Sequence, residues 1–162
     1  METTDEVLQL LKDNIGKGLI RQYFDGDPVF LPQSYLPAIA VVKTRSSTQT
    51  GATGTDELTE TIQIRVIMSL MDTMGASQNI ETTHKKIKTL VEKTYNKQYT
   101  STSIMGILRK NFTLYNNIVG QQIDTEYEIL TGGRITNRKG VLTEEAHITF
   151  TTKRIIYQPN RV

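Results

Sequence analysis

The sequence predicts an α+β fold, a mostly antiparallel four-stranded sheet with helices packed on one face and a long loop between strands 1 and 2. Three observations carry that expectation. Two apolar, strand-like runs, Leu36 to Val42 and Leu58 to Met71, flank a polar stretch from Lys43 to Glu57. Within the second run, Ile62, Ile64, Val66, Met68 and Leu70 alternate with Thr61, Gln63, Arg65 and Ser69, the period of a half-buried strand. Downstream, Ile80, His84, Ile87, Leu90 or Val91 and Tyr95 recur at helical spacing.

Composition bounds the rest. The chain has 162 residues, 37% of them hydrophobic, which suits one domain spanning residues 1–162. Such a domain buries roughly two thirds of the surface its unfolded form exposes. Nineteen basic against 17 acidic side chains, a net charge of +2, exclude both a strongly basic tail protein and an acidic disordered one. With no cysteine there is no disulfide, no thiolate catalysis and no cysteine-ligated zinc or iron–sulfur site, and the cytoplasm is the expected compartment. The start, Met1 to Glu6, is acidic where a signal peptide is basic. No apolar run approaches the roughly 20 residues that span a bilayer, so secretion and membrane insertion are both disfavoured.

Taken in order, the first helix runs from Asp5 to Ile15, with Thr3 as cap, Glu6 three residues on, and Val7, Leu10, Leu11 and Ile15 on one face. Gly16 and Gly18 end it. Leu19 to Pro37 reads as an irregular crossing segment, because Asp25-Gly26-Asp27-Pro28 favours a turn and Pro32 and Pro37 interrupt regular structure. Leu31, Tyr35 and Leu36 hold that segment to the core. Pro37 sits at the start of strand 1, where its missing donor does least harm. The connection to strand 2 is about fifteen residues, where a hairpin uses two to five, and that length implies a functional or disordered loop. Ile67 and Met71 break the polar face of strand 2, which calls for a covering helix or neighbouring subunit.

Ser77 caps a second helix that reaches about Lys97, and Ser103 to Lys110 forms a short third one, weakened by Gly106. Gln122 to Leu130 and Glu144 to Tyr157 complete the sheet, joined by a basic connection, Thr131 to Thr143.

Few residues suggest chemistry. Thr50-Gly51-Ala52-Thr53-Gly54-Thr55 invites a phosphate-loop reading, but it lacks the lysine after the last glycine and leads into a strand instead of a helix. A metal site built on His84 and His147 needs both to converge with Glu81 or Glu145, which their spacing does not require. Glu126, Glu128, Glu144 and Glu145 alternate with Tyr127, Ile129 and Ala146, which places the carboxylates on an exposed face. No nucleophile elbow is present, so neither a catalytic site, a cofactor nor a metal is expected. Lys85, Lys86, Lys88 and Lys93 form a basic side of the long helix, offset by Glu81 and Glu92 and without interleaved aromatics.

The opening helix, the Leu36-Pro37-Ala38-Ile39-Ala40-Val41 strand, the long polar connection, Glu60-Thr61-Ile62-Gln63-Ile64-Arg65-Val66 and the helix after Ser77 together resemble the tail terminator proteins of long, non-contractile-tailed bacteriophages. In the C-terminal half only the strands around Tyr127 and Ile148 match, and the likeness contains no catalytic or ligand motif. It implies a virion protein, assembled in the host cytoplasm, that forms a hexameric homo-oligomer on the tail tube protein, stops tube polymerisation and offers the surface to which a head-completion or connector protein attaches. DNA would pass through the channel without sequence-specific binding. In that family the loop after the first strand is mobile in the free subunit. Lys43, Arg45, Asp56 and Glu57 bracket the corresponding stretch here, and with Arg134, Arg138 and Lys139 they are the candidate subunit or tube contacts. The segment Asn96 to Gln121 is additional to compact members. A head–tail completion or stopper protein is the close competitor, and a nucleic-acid-binding module using the helix lysines comes from a different class.

Overall fold

The computed structural model describes residues 2–28, 31–51, 54–70, 76–111, 123–136 and 139–159. Among these, α1 (Thr3–Asn14), α2 (Ala76–Glu92) and α3 (Ile104–Lys110) accompany a five-stranded sheet of order β1-β2-β3-β7-β6. Its strands are β1 (Gln22–Asp25), β2 (Ala38–Thr50), β3 (Thr55–Ser69), β6 (Ile123–Thr136) and β7 (Lys139–Tyr157). A two-stranded ribbon, β4 (Thr94–Tyr95) and β5 (Gln98–Tyr99), follows α2.

The α+β class holds, whereas the four-stranded, mostly antiparallel sheet does not: the sheet has five strands and mixed orientation. The added strand, β1, lies parallel to β2, with Gln22 to Asp25 beside Ala38 to Val41, inside the stretch expected to be irregular. Four residues between glycine and proline signals are too few to show a period, yet they alternate. Tyr23 packs into the helix-side core and Phe24 against the opposite face.

The long loop is also absent. β2 and β3 pair from Ala38↔Ile67 to Thr50↔Asp56 with a register shift between Lys43 and Arg45, so Lys43 to Glu57 belongs to an extended hairpin in which the Gly51 N–H donates to the Thr55 carbonyl. Its turn carries Gly54 at φ 84°, a conformation that costs glycine little. Apolar periodicity cannot reveal a strand with no buried face, but Thr and the other β-branched residues still favour extended backbone. The Thr131 to Thr143 connection resolves in the same way, with β6 and β7 paired from Ile123↔Thr151 to Thr136↔Lys139.

The three helices cover one sheet face. Val7, Leu10 and Leu11 of α1, Ile87 and Val91 of α2, and Ile104, Ile107 and Leu108 of α3 pack on Ile39, Val41, Ile62, Ile64, Val66, Ala146, Ile148 and Phe150. Burying one such aliphatic side chain is worth about 1.5–3 kcal/mol, so this layer dominates stability. On the other face Ile67 is covered by the chain's own Leu31, Leu36 and Ala38, with Phe24 against them, which removes the need for a neighbour there; Met71 lies outside the described residues. Tyr35, expected to be buried, is 43% exposed. Arg65 holds the crossing segment to the sheet through Asp27 Oδ2 at 2.6 Å.

Helix ends differ in detail. Glu2 precedes α1 and its backbone N–H donates to Asp5 Oδ2 at 3.2 Å, which leaves Thr3 inside the helix and buried. α2 starts at Ala76, before Ser77, whose side chain lies outside the described residues. It stops at Glu92, and the ribbon follows, with Asn96 and Lys97 at positive φ forming its turn and Tyr95 75% exposed. α3 matches expectation, with Ser103 Oγ accepting from the Gly106 N–H at 3.1 Å.

Gly106 is required at its position, since a Cβ there collides with the Thr100 carbonyl oxygen. Gly106→Ala, which gains about 1 kcal/mol in an unhindered helix, is expected here to destabilise by ~1–3 kcal/mol. Thermal unfolding checks this: a lowered midpoint is the expected result, and a raised one contradicts the packing.

Candidate assembly interface

Beyond the core the sheet continues as a three-stranded arm made of residues 43–50 of β2, 55–61 of β3 and 151–157 of β7. All eight β2 residues of the arm are exposed. At the usual rise it projects roughly 25 Å. A bulge between Lys43 and Arg45 marks where β2 leaves the body. Bulges raise local twist and redirect a strand, so the arm departs at a set angle. Its tip exposes apolar side chains, with Ile155 47%, Ile156 42% and Tyr157 79% accessible.

A buried carboxylate holds the root. Glu60 lies on the helix-side face of β3 and is only 1% exposed. Thr3 Oγ1, in the first turn of α1, donates to Glu60 Oε1 at 2.6 Å. Lys43 Nζ lies 3.5 Å from Oε2, and Arg154 Nε 3.4 Å from Oε1. One side chain thus joins α1 and all three arm strands. An isolated buried carboxylate is strongly disfavoured, and this one is tolerated because two cations and a hydroxyl converge on it. Glu6 of α1 is also buried, and its Oε2 has no hydrogen-bond partner. Burial raises the Glu6 pKa above 4.5, and Arg154 opposes that shift without cancelling it.

The candidate contact residues divide between two ends of the molecule. Lys43, Arg45, Asp56 and Glu57 are on the arm, and three of them have partners in the same chain. Lys43 meets Glu60, Glu57 Oε1 meets Lys153 Nζ at 3.2 Å, and Asp56 Oδ1 accepts from Gln158 Nε2 at 3.0 Å. Arg45 is exposed opposite Thr61. Arg134 and Lys139 belong to the β6–β7 hairpin at the other end of β7, and Arg138 lies outside the described residues. β7 has 19 residues. That length separates arm and hairpin by up to roughly 60 Å.

The remaining candidates do not assemble a reaction centre. Gly51 and Gly54 belong to the arm's turn, where the Gly51 N–H donates to the Thr55 carbonyl, and residues 52–53 are outside the described set. His84 Nδ1 lies 2.8 Å from Glu144 Oε1 on the helix side, whereas His147 Nε2 lies 3.0 Å from Glu145 Oε1 on the opposite face. The two pairs do not converge, and Glu81 pairs with Lys85 at 3.3 Å. Among the described residues no group of three histidines or carboxylates is placed to hold a metal. Glu126 and Glu128 are exposed as expected, but Glu144 is 1% exposed, because it follows the parity of core residues Ala146 and Ile148. Tyr127 packs on the core, and burial and a hydrogen bond to Glu92 raise its pKa. A cleft of about 630 Å³ between α2 and the α1–β1 connection carries Arg21, Lys85 and Lys86, and among the described residues no carboxylate or histidine lines it.

Sequence reasoning missed Glu60, Thr3 and Arg154. Glu60 opens the alternating run of strand 2 on the parity of Ile62 and Ile64, and that parity was the available signal. Among the described residues no helix is long and apolar enough to cross a membrane. Searches against known protein families and curated proteins gave no match.

The burial of Glu6 makes stability depend on pH. A carboxyl whose folded-state pKa is raised stabilises fully below 4.5, and that contribution is lost as pH rises through the folded-state value. Glu6→Gln cannot ionise. Between pH 4 and pH 8 the variant is therefore expected to gain stability relative to the wild type, whatever its offset at pH 4. Thermal melts across that range check the slope, and parallel curves contradict it.

Proposed function

We propose that this chain is a structural subunit of a phage virion, a tail terminator that forms a ring on the tail tube, stops its polymerisation and provides the surface for head attachment. The observation that carries the reading is the two-ended subunit, with a three-stranded arm and a separate basic hairpin at opposite ends of β7. A terminator must engage the tube on one side and a head-side protein on the other, and a rigid sheet with a contact element at each end suits that task. The sequence likeness in the opening helix, Leu36 to Val41 and Glu60 to Val66 supports the same reading.

In this proposal the subunit closes a ring through heterologous contacts, hexameric by the resemblance, and DNA passes through the channel without sequence-specific readout. Because the arm is already paired sheet, ring formation does not have to order a dozen residues at about 1–2 kcal/mol each. Assembly then depends on presenting a preformed surface.

Electron microscopy of particles assembled without this protein tests the proposal. Tubes of uncontrolled length with no attached heads are the expected result. Tails of normal length beside unjoined heads contradict termination and assign the chain to head–tail completion instead.

A further inference from the structure

We infer that the arm joins copies of this chain edge to edge, the free edge of β2 in one copy pairing with the free edge of β7 in the next. The inference rests on the ring-forming part of the proposed function and names the surface that closes the ring.

Hydrogen-bond direction defines both edges. The Gly51 N–H points into the arm toward Thr55, so by strand alternation the backbone groups of Ser46, Thr48 and Thr50 point outward. On the other side the Gln158 N–H points inward to the Gly54 carbonyl, which turns those of Lys153, Ile155 and Tyr157 outward. β1 covers β2 only as far as Val41, and β6 covers β7 only up to Thr151, so neither edge has a strand beside it among the described residues. Each edge therefore offers three donors and three acceptors, and the two match in length.

The β2 edge also lacks guards. Exposed edge strands are normally blunted with proline or with charge, whereas Ser46-Ser47-Thr48-Gln49-Thr50 has neither. On the opposing strand, Lys153 and Arg154 pair within the arm with Glu57 and Glu60. A neighbouring arm would also cover Ile155, Ile156 and Tyr157 at the tip.

A second copy is the occupant because one arm carries both halves of the junction. β2 and β7 are each antiparallel to β3 and hence parallel to one another, so rotation about an axis along the strands brings β7 of one copy beside β2 of the next in parallel. That contact is heterologous and closes by rotation. An edge roughly 25 Å long and about 10 Å deep buries about 250 Å² per partner, against about 800 Å² per partner in a stable pair. Two copies alone therefore bind weakly, and association becomes strong only when a closed ring engages both edges of every arm.

Cysteine cross-linking reads this directly, since the chain has no cysteine of its own. Gln49 and Ile155 lie in one cross-strand row with Glu57 between them. Within a copy they are about 10 Å apart, beyond the roughly 7 Å limit for a disulfide. The Gln49→Cys/Ile155→Cys chain, oxidised both as purified protein and in assembled tails, is expected to give a covalent ladder that ends in a closed ring. Mixing the two single variants should yield a dimer of unlike partners and little of either like pair. Thr48→Pro removes an outward N–H that makes no bond in the chain's own sheet, so it should retain the wild-type circular dichroism and lose the ring. Like-with-like cross-linking, absence of any cross-link in both preparations, or ring formation undiminished in Thr48→Pro overturns the inference. A ring built through other surfaces with tail length still controlled overturns this pairing alone, whereas an edge-paired ring that leaves tail length uncontrolled overturns the proposed function alone.

Discussion

Glu60 is the side chain on which the arm depends. It is buried where the sheet leaves its helical cover, and it brings Thr3 of α1, Lys43 of β2 and Arg154 of β7 onto one carboxylate in the middle strand. A three-stranded sheet with both faces wet has little hydrophobic reason to stay in line with a core. Charge-assisted contacts at its root supply the fixed connection that apolar packing does not. The arrangement is sensitive, because a buried ion left without its partners costs more than the pair contributes. Glu6, close enough for Arg154 and Glu60 to influence its ionisation, adds a second carboxyl to the same root.

The rest of the architecture follows from where the helices stop. α1, α2 and α3 cover the centre of the sheet, and the chain's own Leu31, Leu36 and Phe24 cover part of the reverse face. β3 and β7 run past this cover toward one end, and β6 and β7 form a hairpin toward the other. Among the described residues the cleft beside α2 carries the cations Arg21, Lys85 and Lys86 and no carboxylate or histidine.

Much of this was legible in the sequence, and the failures share a cause. The core strands, α1 and α3 follow from apolar periodicity, and Ile62, Ile64, Val66, Ile148 and Phe150 are buried as their spacing indicates. Periodicity reports burial and not backbone conformation, so the arm read as a loop: Ser46, Ser47, Thr48, Gln49 and Thr50 are extended and exposed. β1 escaped because it has only four residues. Glu144 and Glu60 were missed by the opposite error, since their charge outweighed a parity that placed them on the buried face. Of the candidate contacts, Lys43, Arg45, Asp56 and Glu57 do lie together on the projecting element, but Lys43, Asp56 and Glu57 face partners within the chain. Those partners, Glu60, Lys153 and Gln158, come from distant positions that spacing alone does not bring together.

Amide hydrogen exchange on the isolated chain and on Glu60→Ala tests the central claim, that the arm is a preformed sheet held at its root by Glu60. The account predicts slow exchange at the inward-facing amides of Ser47, Gln49 and Gly51 in the wild type, with that protection lost in the variant while the amides around Ile64 and Ile148 keep theirs. Exchange of the wild-type arm at the rate of an unstructured loop, or an arm equally protected without Glu60, would contradict it.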